Sequence, residues 1–319
     1  MAGRGSTVER RLRTVAGFVM ATVGARNLLG ARWVPALLAV IPAQHRRQVA
    51  LRLLALSPHY VQPDERDRRN RKILADDMLG RYLQPDDDVL DVGCGPGYLA
   101  AAIAPRVHAV TAVDVSRGVL ACARVLNSAP NLEYLTVEDF RRSGRDVDVV
   151  SCIAVAQHLT DEAFARALRD WHAALRPGGR LLVHVEVDDS AWRTEEQWRA
   201  DRGIVGRTRL RFAPNCFGRS AEQVRRLIAG AGFGELDLVP VASLVDVDDD
   251  VAGQHLVVAR RLDVAAMPAP TPSRGLAVEI PAQATPVDRT GPERLGLERV
   301  DLERREFGRM TPSDANPAY

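Results

Sequence analysis

Lysine is all but absent from this chain: of 43 basic residues only Lys72 is lysine and the rest are arginine, an imbalance of the kind genome composition produces. Long apolar runs are missing as well. The longest uncharged stretches near the start, residues 14–25 and 33–44, fall short of a membrane span, which needs roughly 18 to 20 apolar residues. Arginines interrupt the region where a secretory signal would need one apolar run and a small-residue cleavage site. The four cysteines, Cys94, Cys122, Cys152 and Cys216, show no CxxC spacing, and three lie in apolar runs. That usage excludes a disulfide framework and predicts a reduced, cytoplasmic protein. No His, Cys and carboxylate cluster has ligand spacing, so no metal site is expected. A net charge of +2 is too small to mark a nucleic-acid binder.

What charge there is lies unevenly. Residues 1–52 carry nine arginines against the single acid Glu9, leaving an acidic remainder. In this segment Ser6 and Glu9 have capping-box spacing, and Val8, Leu12, Val15, Val19 and Val23 recur at helical intervals, predicting an amphipathic helix from about residue 7. Residues 43–56 and 64–83 read as further helices. From residue 88 the pattern becomes strand, helix, strand. Val- and Leu-rich runs at 88–92, 109–115, 132–137, 147–155 and 180–187 alternate with helical stretches at 97–104, 117–127 and 161–175. Runs without clean alternation suit buried parallel strands, so a doubly wound α/β sheet is expected. A helix at 220–231 and two last runs, 234–241 and 252–260, complete it. Ten residues between those runs fit a hairpin.

The stretch VLDVGCGPGYLAAAIA, residues 89–104, places Gly93, Gly95 and Gly97 between the first strand and a helix. Small residues let the backbone turn sharply and approach a ligand, and helix-start amides attract an anionic group. The dinucleotide fingerprint GxGxxG/A would want Gly or Ala where Tyr98 stands. Asp114 closes the second strand, where a carboxylate binds ribose hydroxyls, which suits NAD equally. After the third strand come Glu138, Asp139 and Phe140, an acid beside a ring, suited to an adenine amino group and its flat face.

With these residues together, the chain resembles the class I S-adenosylmethionine-dependent methyltransferases over residues 72–260. The resemblance implies a seven-stranded sheet of order 3-2-1-4-5-7-6 with the last strand antiparallel. It also implies S-adenosylmethionine as cofactor. Gly93, Gly95 and Gly97 would approach its methionine part, and Asp91 would support the loop and take the amino group. Asp114 and the adjoining Val115 would hold the ribose side. Asp139, beside the further cofactor-site candidate Glu138, would take the adenine amino group, Phe140 the adenine face, and Ala154 and Val155 would line the pocket at the carboxyl end of the fourth strand. The domain would run from 72 to 261, with 188–218 a substrate-side insertion, 1–71 a basic helical extension and 262–319 a tail without sustained periodicity.

The acceptor is less legible. His158 is the candidate general base, its alternative role being to line the cofactor pocket. Glu186, Asp188 and Asp189 follow the fifth strand and face either an acceptor or solvent. Arg207, Arg209 and Arg211 alternate as if to hold an anion, or to form a solvated face. Trp192 and Trp198 form an acceptor wall or pack a lid. The basic N-terminal helices cover the acceptor pocket or attach to an anionic membrane surface. The expected activity is methyl transfer to a small molecule or lipid, at oxygen if His158 is the base. A non-catalytic scaffold on the same fold and an NAD-dependent oxidoreductase are the alternatives.

Overall fold

Val89 and Leu90 are neighbours in the first strand, and they enter two different cores. Successive strand residues point to opposite faces, and the same split recurs at Val149 and Val150, at Leu181 and Leu182, and at Leu256 and Val257. Strands that bury both faces need helices on both, which is why the apolar runs lack alternation. The structure, a computed structural model, describes residues 33–55, 64–188, 192–201, 215–245 and 253–262. The helix expected from residue 7, Asp189, the three alternating arginines and the tail from residue 263 lie outside the described residues.

The described residues belong to one compact unit. Helices α1 (Trp33–Val40), α2 (Ala43–Leu54) and α3 (Asp64–Ile73) precede the sheet. There follow β1 (Asp88–Val92), α4 (Tyr98–Ile103), β2 (Ala109–Asp114), α5 (Arg117–Leu126), β3 (Leu132–Thr136), α6 (Val137–Ser143) and β4 (Val147–Cys152). Then come α7 (Asp161–Ala174), β5 (Leu175–Glu186), α8 (Glu195–Ala200), α9 (Ala221–Ala229), β6 (Phe233–Pro240) and β7 (Gln254–Arg261). The sheet order is 3-2-1-4-5-7-6. Strands β1 to β5 run parallel, and β7 pairs antiparallel with both β5 and β6. The expected fold is the observed one.

Strand β1 lies between β2 and β4, with Asp91 in register with Ala112 on one side and Ser151 on the other. The connections depart in opposite directions here, and open α/β sheets bind their ligands at the strands' carboxyl ends beside such a switch point.

Local differences from the sequence reading have local causes. Glu138, Asp139 and Phe140 lie in a helix, α6, whose start is capped by Thr136: its side chain accepts from Asp139 N at 3.0 Å. Strand β5 begins already at Leu175, opposite Val147, with a register break before Val149. A domain boundary at residue 72 would cut one helical run. Helix α3 continues through a π-turn at Leu74–Met78 and a 3-10 turn at Leu79–Arg81, burying Leu74, Ala75, Met78 and Leu79 against the sheet.

The apolar residues of the described N-terminal helices pack on α5. Val34 and Leu38 of α1 and Ala50, Leu53 and Leu54 of α2 form a third core with Val119, Ala121, Cys122 and Leu126 of α5. They cover the helix that follows β2.

Candidate functional site

The glycine loop has the conformation its composition permits. Gly93, Gly95 and Gly97 have φ of +71°, +52° and +81°, a region costly for residues with a Cβ. Space is short as well. A Cβ at Gly93 would collide with the Val155 side chain, and one at Gly97 with the Tyr134 hydroxyl. Val155, in the loop after β4, thereby packs directly on the loop after β1. Behind the glycines, Tyr134 of β3 donates its hydroxyl to Asn127 O at 2.6 Å, and Asn127 Nδ2 donates to Pro96 O at 2.8 Å. The loop is held from below by two buried polar side chains.

Asp91, near the end of β1, is 1% exposed. One carboxylate oxygen accepts from Ser151 Oγ at 2.8 Å; the other is buried with no hydrogen-bond partner among the described residues. Burial pushes this carboxyl up to about 6, opposed by the Ser151 hydroxyl and the positive charge of Arg71 and reinforced by Asp114. A buried oxygen left without a donor is costly unless something supplies one. An ammonium group beside the glycine loop would do so, which is the donor that the amino end of S-adenosylmethionine offers. Arg71 reaches this neighbourhood from α3, and its charge also acts on the buried His184. Nothing in the charged sequence around it sets Arg71 apart.

Asp114 closes β2 as expected. Its Oδ2 accepts from Gly95 N at 3.2 Å and its Oδ1 from Ser116 N at 2.8 Å, so the carboxylate ties the glycine loop to the start of α5. A carboxylate oxygen accepts more than one hydrogen bond, so this anchoring is compatible with holding ribose hydroxyls. The next residue, Val115, is 76% exposed, among the few large apolar side chains left outside the cores.

The three residues expected on the adenine separate. Phe140 is 7% exposed and belongs to the core that includes Leu90, Val113 and Val150, so its ring face is spent on packing. The helix of α6 turns position 140 inward, while Val115 stays exposed. Asp139 is engaged by its own helix start. The Thr136 hydroxyl donates to its Oδ2 at 2.6 Å and Arg142 contacts its Oδ1 at 3.0 Å, which together hold its carboxyl below the usual range. Glu138 is exposed and paired with Arg142 at 3.1 Å.

The loop after β4 carries a further mark of strain. Ala154 has φ of +62°, a left-handed conformation costing a residue with a side chain roughly 1 to 2 kcal/mol. Strain of this kind persists where the surroundings enforce it. In the 3-10 turn Ala156–His158, the His158 ring Nδ1 lies 3.1 Å from Asn215 O and 3.7 Å from Cys216 Sγ. A carbonyl only accepts, so Nδ1 carries the proton and Nε2 of the neutral ring is the basic nitrogen. Beside it Gln157 is 6% exposed, its Oε1 buried without a partner among the described residues.

The insertion closes on this turn. Trp198 of α8 donates its indole N–H to Cys216 O at 3.2 Å, and Gly218 packs under the Trp192 backbone. Asp188 accepts from Ala221 N at 3.4 Å, serving the start of α9. The closure depends on Arg219. Its buried guanidinium pairs with Asp161 Oδ1 at 2.8 Å, donates to Ala156 O at 3.0 Å and to Leu159 O, and lies over the Phe164 ring at 5.2 Å. One residue thus fixes both ends of the His158 turn. Sequence reasoning missed Arg219, Tyr134 and Asn127, because each acts through contacts between segments far apart in the chain.

The fold is a doubly wound α/β sheet with the glycine loop, Asp91 and Asp114 at the switch point beside β1. Residues 89–179 match the family model described as a methyltransferase domain. That segment holds the glycine loop, Asp114 and the loop after β4, and it makes up under a third of the chain. Similar curated proteins include the ubiquinone biosynthesis O-methyltransferases of Pseudomonas syringae pv. tomato, 37% identical over 99 residues, and of Azotobacter vinelandii, 40% identical over 100 residues. In each case the match covers 30% of this chain and 42% of the relative, so the chain spans less than half the length of these relatives. Among solved structures, human N-acetylserotonin methyltransferase in complex with S-adenosylmethionine has a TM-score of 0.46 and 16% identity, covering 78% of this chain and 68% of that one.

Proposed function

We propose that the protein transfers a methyl group from S-adenosylmethionine to an oxygen of a small-molecule acceptor. The observation that carries the reading is the Asp91 carboxylate, buried beside three left-handed glycines with one oxygen awaiting a donor. The glycine loop is built for close approach of a ligand backbone, Asp91 for a cation and Asp114 for vicinal hydroxyls, and these are the groups of this cofactor. The matched relatives, named as O-methyltransferases, favour oxygen as the accepting atom.

When bound, the cofactor supplies a methyl group on a sulfonium, open to in-line displacement. Displacement of this kind is accelerated chiefly by positioning. Asp91, with Arg71 close by, fixes the methionine end, and Asp114 with Val115 fixes the ribose and the adjoining adenine. His158, its Nδ1 proton committed to Asn215 O, presents Nε2 to take the acceptor's hydroxyl proton as the carbon–oxygen bond forms. Gln157 offers a buried amide oxygen one residue away, suited to a donor on the acceptor. Residues 188–218 are read as the acceptor side of the site.

The test is a calorimetric and thermal-shift titration with S-adenosylhomocysteine, with NAD as control, followed by a screen of phenols and other hydroxyl acceptors. Product at ~100 times its dissociation constant should stabilise the fold by about 2.7 kcal/mol. Asp114→Ala should abolish the shift. His158→Gln should keep it and lose turnover. Absence of any shift in folded protein would overturn the cofactor assignment, and a shift without turnover on any acceptor would favour a non-catalytic scaffold.

A further inference from the structure

We propose that the outer face of α1, together with the arginines of α2, docks on an anionic lipid surface. The argument begins with a helix that is apolar on all sides. Residues 33–40 read WVPALLAV, and a helix with no polar face is normally covered all round. Among the described residues only one side is covered. Val34 and Leu38 pack on α5, whereas Trp33 is 44% and Val40 78% exposed. These two are seven residues apart, two turns along one face. With Val115 they are the exposed large apolar side chains of the described residues.

The charge beside this face specifies the occupant. Arg46 donates from Nε to Ile41 O at 2.8 Å and from a terminal nitrogen to Ala39 O at 3.2 Å, which seats a guanidinium at the end of α1 next to Val40. His45, Arg47 and Arg52 of α2 are exposed. From Arg10 to Pro63 the sequence contains no acidic residue. A second copy of the chain would bring the same cations against these, and like charges repel. A surface of anionic headgroups over hydrocarbon meets both halves of the patch, taking Trp33 and Val40 into the headgroup boundary and the arginines at the phosphates. Trp is favoured at such a boundary because its ring is apolar and its N–H polar. No helix of the described residues is long and apolar enough to cross a membrane, so this contact would be peripheral. It stands independently of the proposed reaction.

The experiment is co-sedimentation of the full chain with vesicles of phosphatidylcholine alone and of phosphatidylcholine with phosphatidylglycerol, at low and high salt, with size-exclusion light scattering in parallel. The expected result is binding to the anionic vesicles, weaker by roughly tenfold or more on neutral ones and in high salt. Trp33→Ser with Val40→Ser should remove binding at unchanged melting temperature, since both side chains lie outside the cores. Arg47→Glu with Arg52→Glu should do the same. Brominated lipid should quench tryptophan emission in the parent and not in the Trp33→Ser chain. Equal binding to neutral vesicles, no binding to either, or a dimer dispersed by the Trp33 and Val40 substitutions would overturn the proposal.

Discussion

The Tyr134 hydroxyl stands where a Cβ at position 97 would have to be, so the absent side chain of Gly97 and the bonded hydroxyl of Tyr134 are two parts of one joint. Gly97→Ala would force a side chain into a left-handed backbone and push the ring aside. It should weaken S-adenosylhomocysteine binding roughly tenfold or more, given about 1 to 2 kcal/mol for the backbone alone. Tyr134→Phe keeps the ring and removes the donor to Asn127 O. Leaving a buried acceptor bare should cost about 1 to 3 kcal/mol of stability in denaturant unfolding, with a smaller loss of affinity than Gly97→Ala. The reverse order would place the loop's rigidity elsewhere.

Asp91 should make stability and binding respond oppositely to pH. Its carboxyl is raised to about 6 by burial, with Ser151, Arg71 and Asp114 as its polar surroundings. A group whose folded pKa is raised contributes fully below its unfolded value and loses that contribution as pH climbs through the folded one. Between about pH 4 and 6 this one residue should therefore cost the ligand-free protein about 3 kcal/mol. Asp91→Asn should recover much of that at pH 7 while S-adenosylhomocysteine binding falls. In the parent, affinity should rise through the same window as the carboxylate becomes charged. Calorimetry from pH 4 to 7 on both chains measures both effects.

His184 pulls the other way. It is 1% exposed, and burial lowers its imidazole to about 3 against the hydrogen bond with Gln254, with Arg71 and His255 adding to the drop. A base depressed on folding gives its stability above the unfolded value near 6.5 and loses it as pH falls toward the folded one. By pH 4 the loss should reach about 3 kcal/mol. His184→Gln should flatten the fall in melting temperature between pH 6.5 and 4. An unchanged profile would assign acid sensitivity to other groups.

Arg219 should matter more to turnover than to cofactor binding. Arg219→Leu removes the donor to the Ala156 and Leu159 carbonyls, a loss of about 1 to 3 kcal/mol, or a few degrees in melting temperature for a domain of this size. In the folded fraction, affinity for S-adenosylhomocysteine should change little, since its expected ligands lie on β1 and β2. Turnover should fall further, because the His158 turn loses the group that holds it. Equal losses in binding and turnover would make Arg219 a purely structural residue.

The sequence by itself determined the sheet and the half of the site that is local in the chain. Strand and helix periods, the glycines after β1 and the acid ending β2 each follow from short-range rules of backbone conformation and burial, so they can be read without knowing what packs where. The helix at α6 was hidden because Thr136 caps it from within a strand-like run, and with it the inward turn of Phe140. Tertiary structure alone decided which side chains meet across the fold: Tyr134 under Gly97, Arg71 near Asp91, Arg219 across the His158 turn, and α1 against α5 with Trp33 and Val40 outward. Contacts of that kind depend on segments up to about a hundred residues apart arriving at one place, and no pattern along the chain encodes their meeting.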